Sequence, residues 1–469
     1  MRRAWRGRIQ HVSDWRVARV AGASGPGHVA PDLEAAGAEP AVEYSHTRWN
    51  FAVIVADASA FIAGLAFASP VIVLPLFMER LTGSTVLVGV LSATQMAGWF
   101  LPQLLTASLV EHRPRKKPFM LKVCLAGRTP MALIPLSLLA LRDRPQALLA
   151  LFLLLHLMFY LSDGMTGVPW TDIGAKTIPP RMRGRFFGAM QLVGGLLSVL
   201  AGLAVNRILG NPKLPYPNDY ALLFAIEFVL LMVSLGFLAL IREPLRPVRT
   251  HRRGMRQLLR DAPGLLRARP QFLRLVIVMG LTGAGMIALP FYSLYARVQL
   301  GVPEAMAGVF VSAQMAGGIA SSMLWAWLSD RHGSKRVIQG TTLCNVAVPM
   351  LAWLAPPALA HYGLDALGYG YAFTFFLIGM VMNGSWMGAT NFMLEMVGEQ
   401  ERPAYVGLLN TMSAPLILLP VLGGWVIRAA SYQAVLAVAA ASGAMAVVAC
   451  AWLREPRGQP HRTSPGAPD

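Results

Sequence analysis

Long runs of apolar residues, each followed by a short polar segment, make up most of this 469-residue chain. A helix needs about 20 apolar residues to cross the roughly 30 Å hydrocarbon core of a bilayer. Runs of that length recur along the sequence, and the least clear boundary lies between the ninth and the tenth. The pattern predicts twelve membrane spans, at about 51–77, 86–109, 119–141, 146–169, 186–209, 219–241, 271–297, 304–328, 337–355, 370–392, 404–428 and 431–453.

Composition supports a membrane protein. Apolar residues make up 55% of the chain and charged residues only 14%, whereas about a quarter of a soluble domain is charged. The three cysteines, Cys124, Cys344 and Cys450, all lie in apolar runs, so no disulfide framework is predicted. No nucleophile, metal-ligand cluster or phosphate-binding glycine loop stands out. We therefore predict no enzymatic activity, no ATP-driven transport and no cofactor.

The distribution of Lys and Arg predicts how the chain lies in the membrane. If the N-terminus is inside, 31 of the 41 Lys and Arg residues fall on the inner side and 7 on the outer side. Cations favour cytoplasmic loops. We expect a multi-pass protein of the cytoplasmic (plasma) membrane with both termini in the cytoplasm. This arrangement also explains the net charge of +18 without a nucleic-acid partner, and we expect a monomer in the lipid bilayer.

The span pattern divides the chain into five parts. Residues 1–50 carry arginines but no apolar core, which predicts a disordered cytoplasmic tail, or a miscalled start, rather than a signal peptide. Two six-helix bundles, 51–241 and 271–453, flank the basic segment 242–270. We interpret that segment as a cytoplasmic linker near anionic headgroups, with a specific protein or nucleotide partner as the alternative. Residues 454–469 form a second tail.

The second set of spans echoes the first at an offset of 219 residues. The sequence "QMAG" occurs at Gln95–Gly98 and again at Gln314–Gly317, and Pro130-Met131 corresponds to Pro349-Met350. Because the offset carries six spans, both copies have the same orientation, as parallel repeats related by an axis along the membrane normal do. The prediction is an all-α membrane protein built from two pseudo-twofold six-helix bundles.

The segment "AWLSDRHGSK" resembles the loop between helices 2 and 3 of each half in the major facilitator superfamily (MFS). Asp330, Arg331, Gly333 and Lys335 match that pattern, while the first-half copy, "ASLVEHRPRKK", keeps Glu111 but has Pro114 in place of the glycine. The resemblance implies the MFS fold and transport by alternating access. The arginine motif of the fourth helix and the antiporter proline of the fifth are absent.

Charges at the inner ends of the spans predict two gating pairs. A carboxylate there can pair with an arginine of a neighbouring loop or with the positive end of a helix. The offset supplies Glu111 with Arg183 or Arg185 in the first half, and Asp330 with Arg402 in the second. The resemblance implies that such pairs hold one conformation of each bundle. The alternative is that these charges only fix the topology.

Ionisable residues inside spans are costly and are functional candidates by default. Asp57, Arg128 and Asp163 lie at similar depth on helices of the first half, so we expect them to cluster. The hypothesis is that Asp57 or Asp163 takes up a proton under the influence of Arg128. The alternative is a static Arg128–Asp163 pair. We interpret Glu227 as structural and His156 as a hydrogen-bonded histidine of the bundle.

Polar and aromatic side chains supply candidates for a solute site. In the MFS the first and fourth helices of each half line the cavity, so the resemblance implies that the seventh and tenth spans line it here. Such residues suit an amphiphilic or aromatic solute, although each could instead serve helix packing or an interface belt. The candidates are Gln95, Phe291, Tyr292, Tyr295, Gln314, Asn383, Trp386 and Asn410. In the first span, Pro70 and Pro75 predict either a hinge or a fixed kink.

Three functions remain open from the sequence. The first is a secondary transporter that moves a small amphiphilic or aromatic solute, coupled to protons and directed outward. The second is an uncoupled or uptake facilitator. The third is a non-transporting membrane sensor or assembly factor on the same scaffold. The sequence does not identify the solute, the direction or the coupling stoichiometry.

Overall fold

The computed structural model describes residues 44, 46–110, 113–245, 264, 266–267, 269–397 and 401–456, excluding the side chains of 104–105, 107–108, 355, 358, 360, 402–404 and 407. Within these residues, twelve helical spans are long and apolar enough to cross a membrane. This confirms the predicted number of spans and the all-α class. We number the spans α1–α12 in chain order.

In the first half, α1 is Thr47–Phe67, α2 is Thr85–Val110, α4 is Pro145–Thr177, α5 is Arg183–Leu209 and α6 is Asn218–Leu240. Span α3 joins Lys117–Arg128 to Leu133–Ala140 through a 3₁₀ turn. In the second half, α8 is Met306–His332, α9 is Ser334–Leu359, α10 is Leu364–Met396 and α12 is Tyr432–Cys450. Span α7 begins with Pro270–Ala284, and α11 joins Arg402–Ser413 to Leu419–Ala429.

The two halves use the same packing scheme. In the first half α1 packs on α5 and α6, while α4 packs on α2 and α3; in the second half α7 packs on α11 and α12, while α10 packs on α8 and α9. The halves meet through α5 with α8 and through α11 with α2, and the correspondence between the two halves exchanges these two contacts. Two like-oriented six-helix bundles around a pseudo-twofold axis account for this pattern.

Spans α1 and α7 are broken near the same depth. Span α1 ends at Phe67, the chain turns through Pro70, and a second helix, Val73–Thr82, follows. Three successive amides, those of Ile72, Val73 and Leu74, point at the carbonyl of Ser69. The predicted span over 51–77 is therefore interrupted at Pro70, one of the two prolines at which a hinge or kink was predicted, because Pro70 has no amide hydrogen to donate to the helix ladder.

The corresponding break in α7 lies between Ala284 and Phe291, at a 3₁₀ turn followed by Pro290. A short helix, Phe291–Leu294, and the π-helical turn Tyr295–Gln299 complete the span. The two breaks meet, since the hydroxyl of Ser293 donates to the carbonyl of Ile72 at 3.3 Å. Ser293 thereby ties α7 to the start of the second helix of α1.

The halves contact each other mainly toward one end. We call the end where α1 begins and α12 ends the terminal face, and the other end the opposite face. Near the opposite face α5 and α8 touch at glycines: a Cβ on Gly202 would lie 2.5 Å from the carbonyl oxygen of Gly308. Similarly, the hydroxyl of Thr85 on α2 donates to Gly424 on α11 at 3.0 Å. Any side chain larger than hydrogen at Gly202 would force these two spans apart.

Candidate functional site

The three charged residues predicted to cluster inside the first half do so. Arg128 on α3 lies 4.0 Å from the carboxylate of Asp163 on α4, and donates to the hydroxyl of Ser234 on α6 at 3.0 Å. That hydroxyl donates in turn to Asp57 on α1 at 2.5 Å. The side chains are nearly inaccessible: Asp57 is 3% exposed, Arg128 4% and Asp163 6%. Four helices therefore meet around one polar cluster.

Two members of this cluster were not identified from the sequence. The indole of Trp170 donates to the second oxygen of Asp57 at 3.1 Å, and Ser234 bridges Asp57 and Arg128. Trp170 follows Asp163, and Ser234 follows Glu227, by seven residues, which places each pair on one face of its helix. The seven-residue spacing from Asp163 and from Glu227, two acids already noted inside the spans, was the sequence signal that could have identified Trp170 and Ser234.

The cluster holds more negative than positive charge. Asp57 and Asp163 supply two carboxylates, and Arg128 supplies one cation. Among the described residues, one oxygen of Asp163 is buried without a hydrogen-bond partner. Arg128 directs part of its donor capacity elsewhere, to the carbonyl of Leu231 at 3.0 Å. A buried carboxylate without enough donors is strongly disfavoured in its charged form.

Several predicted cavity residues lie in helix contacts instead of an open cavity. Gln95 is within 3.0 Å of His156 on α4, and Gln314 donates to the sulfur of Met382 on α10 at 3.3 Å. Phe291, Tyr292 and Tyr295 are all buried around the break in α7. In this conformation these five side chains pack between helices.

A second group of predicted residues lies on a wall that opens toward the terminal face. On α10, Tyr371 and Phe375 are buried near the opposite face, but Trp386, farther along the same side of the helix, is 73% exposed. Asn410 on α11 is also exposed. Asn383 anchors α10 to α8 by donating to Ser322 at 2.7 Å. Hydrogen bonds that join the halves, such as those from Ser312 to Val199 and from Asn206 to Ala305, lie toward the opposite face, so the halves separate toward the terminal face.

The predicted gating pairs cannot be followed in full, because Glu111 and the side chain of Arg402 lie outside the described residues. Arg183 and Arg185 are exposed, and Arg183 lies 3.4 Å from the carbonyl of Ala175. Asp330 is exposed as well, and the guanidinium of Arg331 lies 5.5 Å above the ring of Trp327.

Other carboxylates hold the terminal face of the first half. Glu243, which follows α6, accepts the amides of Lys116 and Lys117 at 3.0 and 2.8 Å. Lys117 in return donates to the carbonyl of Ile241 at 2.7 Å. The start of α3 and the end of α6 thereby cap each other. Asp172 lies 3.0 Å from Lys116 and 2.7 Å from Lys176.

The second half repeats this arrangement with Glu455. The segment Arg242-Glu243-Pro244 recurs after α12 as Arg454-Glu455-Pro456, and Glu455 accepts the amide of Lys335 at 3.2 Å. The repeated tripeptide was the signal that sequence reasoning missed. Gly333 has φ 87°, and a Cβ there would lie 2.3 Å from the Glu455 carboxylate. Glycine is therefore required at this position of the loop pattern, because φ is positive and because a Cβ would clash with Glu455.

At the opposite face, ion pairs join the two halves. We define the opposite-face ion pairs as those among Glu79, Arg80, Arg297 and Glu304. Arg80 lies 2.7 Å from Glu304, and Arg297 lies 2.8 Å from Glu79 and 3.5 Å from Glu304. Tyr220 on α6 donates a short hydrogen bond to Glu304. In the sequence, Arg80 and Arg297 are two of the 7 Lys and Arg residues on the outer side, and no pairing was predicted for them.

Solved structures with the same architecture are transporters. A variant of the nucleoside transporter NupG matches with a TM-score of 0.65 at 15% identity, covering 87% of this chain and 100% of that one. An autoinhibited POT-family peptide transporter gives 0.64 at 11% identity, covering 90% and 99%. A bacterial homologue of the iron transporter ferroportin gives 0.65 at 13% identity in an inward-facing state, covering 87% and 99%. In an outward-facing state such a homologue gives 0.53 at 14% identity, covering 86% and 98%.

Sequence comparison agrees with the architecture. No curated protein sequence matches the chain significantly. Among the described residues, no group of three or more His, Cys, Asp or Glu side chains could hold a metal ion. The Major Facilitator Superfamily profile matches residues 23–202, 214–414 and 275–468, which together cover nearly the whole chain. With twelve spans in two related bundles, this multi-pass membrane protein belongs to the Major Facilitator Superfamily.

Proposed function

We propose that this chain is a proton-coupled secondary transporter that exports a small amphiphilic or aromatic solute by alternating access. The observation that carries the proposal is the buried cluster of Asp57, Ser234, Arg128 and Asp163. Its two carboxylates share one guanidinium, so one proton would neutralise it. Protonation would weaken the pull of Asp163 on Arg128, and the four helices that meet there could then shift relative to one another.

The conformation supports alternating access. Glycine contacts and ion pairs close the halves at the opposite face, whereas the wall with Trp386 opens toward the terminal face. The higher TM-score against the inward-facing homologue fits this assignment. Cations are concentrated in the segments of the terminal face, and by the positive-inside rule that face is cytoplasmic. The opening would then admit solute from the cytoplasm of a cell bounded by this membrane.

The exposed wall supports the class of solute. Trp386 offers a large aromatic surface, Met382 a flexible apolar one, and Asn410 both a donor and an acceptor of hydrogen bonds. An aromatic or amphiphilic molecule can pack against the apolar side chains and hydrogen-bond to Asn410, while a sugar would need more amides and carboxylates. The acids of the first half lie behind Trp170, apart from this wall.

The test begins with the ligand. Purified protein is screened by thermal unfolding against a panel of small aromatic and amphiphilic solutes, because a ligand of the folded state raises its melting temperature. The best stabiliser is then loaded into proteoliposomes, and its flux is measured under an imposed pH gradient. We expect flux that follows the proton gradient and collapses with a protonophore.

Asp163→Asn and Asp57→Asn should retain ligand binding but lose the response of flux to the pH gradient. Asp365→Asn, at an exposed position at the start of α10, is the matched control and should behave as wild type. Flux that ignores the protonophore in wild type would establish an uncoupled facilitator. No flux with any stabilising ligand would favour a sensor or assembly factor.

A further inference from the structure

Glu227 is a third acid inside the first half, and the cluster described above does not include it. Its side chain is only 3% exposed, at the contact of α6 with α1, where a Cβ on Gly64 would lie 3.5 Å from the Glu227 carbonyl. Burying a single acid in a close-packed bundle costs several kcal/mol, so such a residue is a functional candidate. Packing alone would be better served by leucine.

Tyr160 connects Glu227 to the buried cluster. The hydroxyl of Tyr160 on α4 is within electrostatic range of both Glu227 and Asp163. The ring of Tyr160 contacts His156, with centroids 4.7 Å apart. Arg128 reaches the carbonyl of Leu231, one turn from Glu227. Tyr160 is therefore the titratable group in range of Glu227, and the groups that follow it are His156 and Asp163 of α4, Arg128 of α3 and, farther along the bundle, Asp57 of α1.

These groups form a column along the bundle. Glu227 and Ser234 are seven residues apart on one face of α6, which separates them by about 10 Å along the helix axis. The column runs from Asp57 and Ser234, nearer the terminal face, through Arg128 and Asp163 to Tyr160 and Glu227, nearer the opposite face. It lies inside the first half and does not pass through the opening between the halves.

An aromatic layer closes the column toward the opposite face. It consists of Phe77, Phe152, Tyr220 and Phe224, all at most 2% exposed. Phe77 lies at the centre, with ring centroids 4.9 Å from Phe152, 5.2 Å from Tyr220 and 5.3 Å from Phe224. On α6, Tyr220, Phe224 and Glu227 follow one another on one face, so the layer lies directly between Glu227 and the opposite-face ion pairs.

The segment Val73–Thr82 carries both the layer and the ion pairs. It holds Phe77 in the layer and, one turn on, Glu79 and Arg80 in the ion pairs. The turn at Pro70 separates this segment from the rest of α1. When the opposite face opens, the ion pairs break and the segment moves, and Phe77 must move with it. This short helix thus links the opening of the halves to solute with the opening of the aromatic layer to protons.

We propose that Glu227 is a second proton-binding site, supplied from the opposite face when Phe77 leaves the aromatic layer. A proton bound there as the carboxylic acid then passes to the Asp163 carboxylate, so that Asp163 becomes the acid and Glu227 returns to the carboxylate. The inference rests on the proposed proton coupling, but it makes a separate statement about the route of the proton.

A proton-leak measurement tests this route without any solute. Purified variants are reconstituted into liposomes that contain a pH-sensitive dye, and proton influx is driven by a potassium diffusion potential with valinomycin. In Phe77→Ala the layer is open while the structure still opens at the terminal face. We expect influx at least about tenfold faster than in wild type, the change that a barrier lowered by about 1.4 kcal/mol produces.

Three variants make the result specific. Phe77→Ala with Glu227→Gln should return to the wild-type rate, since the leak must pass through Glu227. Phe224→Ala removes another ring of the layer and should also leak, which keeps the test available if Phe77→Ala does not fold. Phe375→Ala is the matched control: Phe375 is fully buried in the aromatic packing of α8 and α10, in the half whose acids lie only near the ends of the spans. It should not leak.

Folding and insertion are checked by gel filtration and by protein recovered in the liposomes. Wild-type influx in well-inserted Phe77→Ala and Phe224→Ala would overturn the proposal. A leak that survives Glu227→Gln would also overturn it, because the proton would then bypass Glu227. Neither outcome bears on flux coupled to the pH gradient, which tests the proposed function separately.

Discussion

The two halves share one scaffold but differ in what they bury. At the offset of 219, Asp163 corresponds to Met382 and Arg128 to Ala347. Aligning the tripeptides after α6 and α12 matches Glu227 with Ala439 and Ser234 with Ala446, both buried alanines. The first half thus contains a polar column where the second has apolar side chains, of which Ala439 and Ala446 are buried and Met382 and Ala347 are exposed. In our account the first half binds the proton, and the second half supplies the exposed wall for the solute.

This comparison teaches that duplication fixes the backbone while the interior remains free to specialise. Asp57 and Arg128 each meet partners from other helices, which a single substitution could not have provided. Removing such partners one at a time tests whether they are required.

Arg128→Met should be the most damaging single change. It leaves Asp57 and Asp163 buried without a cation, and removing one partner of a buried ion pair costs about 3–5 kcal/mol. We expect a large drop in the melting temperature of the purified protein. Adding Asp163→Asn removes one of the two uncompensated carboxylates and should recover much of the loss. A double variant no more stable than the single one would show that charge balance does not hold this cluster.

Glu243→Gln should come next, since Glu243 accepts amides at the start of α3 as an almost fully buried carboxylate. Hydrogen bonds to a charged acceptor contribute about 1.5–3 kcal/mol, and the neutral amide retains only part of this. Glu401→Gln, which alters a pair with Arg269 in which the Glu401 side chain is 36% exposed, should cost about 1 kcal/mol or less. Equal losses in thermal unfolding would argue against the capping role of Glu243.

Gly333→Ala isolates the Glu455 contact in the second half. Gly363 has a similar φ, 92° against 87°, but no neighbouring atom lies within 4 Å of its Cβ position. Both substitutions strain the backbone, by about 1–3 kcal/mol, and only Gly333→Ala also displaces Glu455. We expect the larger decrease in melting temperature for Gly333→Ala. The same decrease in both would mean that Glu455 adds nothing at this loop.

Arg297→Gln should shift the conformational balance with little loss of stability. Partly exposed ion pairs contribute about 1 kcal/mol or less, so the population open at the opposite face should rise several-fold. Spin labels at the exposed positions Lys213 and Asp365 report this opening as a longer distance. Arg142→Gln, which alters an exposed pair within the first half, is the control. An unchanged distance distribution in Arg297→Gln would separate these ion pairs from gating.

Much of the fold followed from the sequence, because bilayer thickness and charge asymmetry constrain spans directly. The cluster of Asp57, Arg128 and Asp163 also followed, since depth can be counted along a helix. Ser234 could not be assigned to Asp57, because 177 residues separate them and only the packing of α1 against α6 brings them together.

The opposite-face ion pairs escaped prediction for the same reason. Glu79 and Glu304 lie in segments whose pairing depends on which conformation the halves adopt, and the sequence does not encode a single one. The break at Pro70 was foreseen as a bend, but the contact of Ile72 with α7 depends on the closed opposite face.

Infrared difference spectroscopy during a pH titration of the purified protein tests whether the buried acids of the first half bind protons. We predict that wild type shows the carbonyl band of a buried, protonated carboxylic acid, that Asp365→Asn keeps it, and that Asp57→Asn with Asp163→Asn loses the component due to this cluster. A spectrum in which the double variant titrates as wild type does would contradict the account.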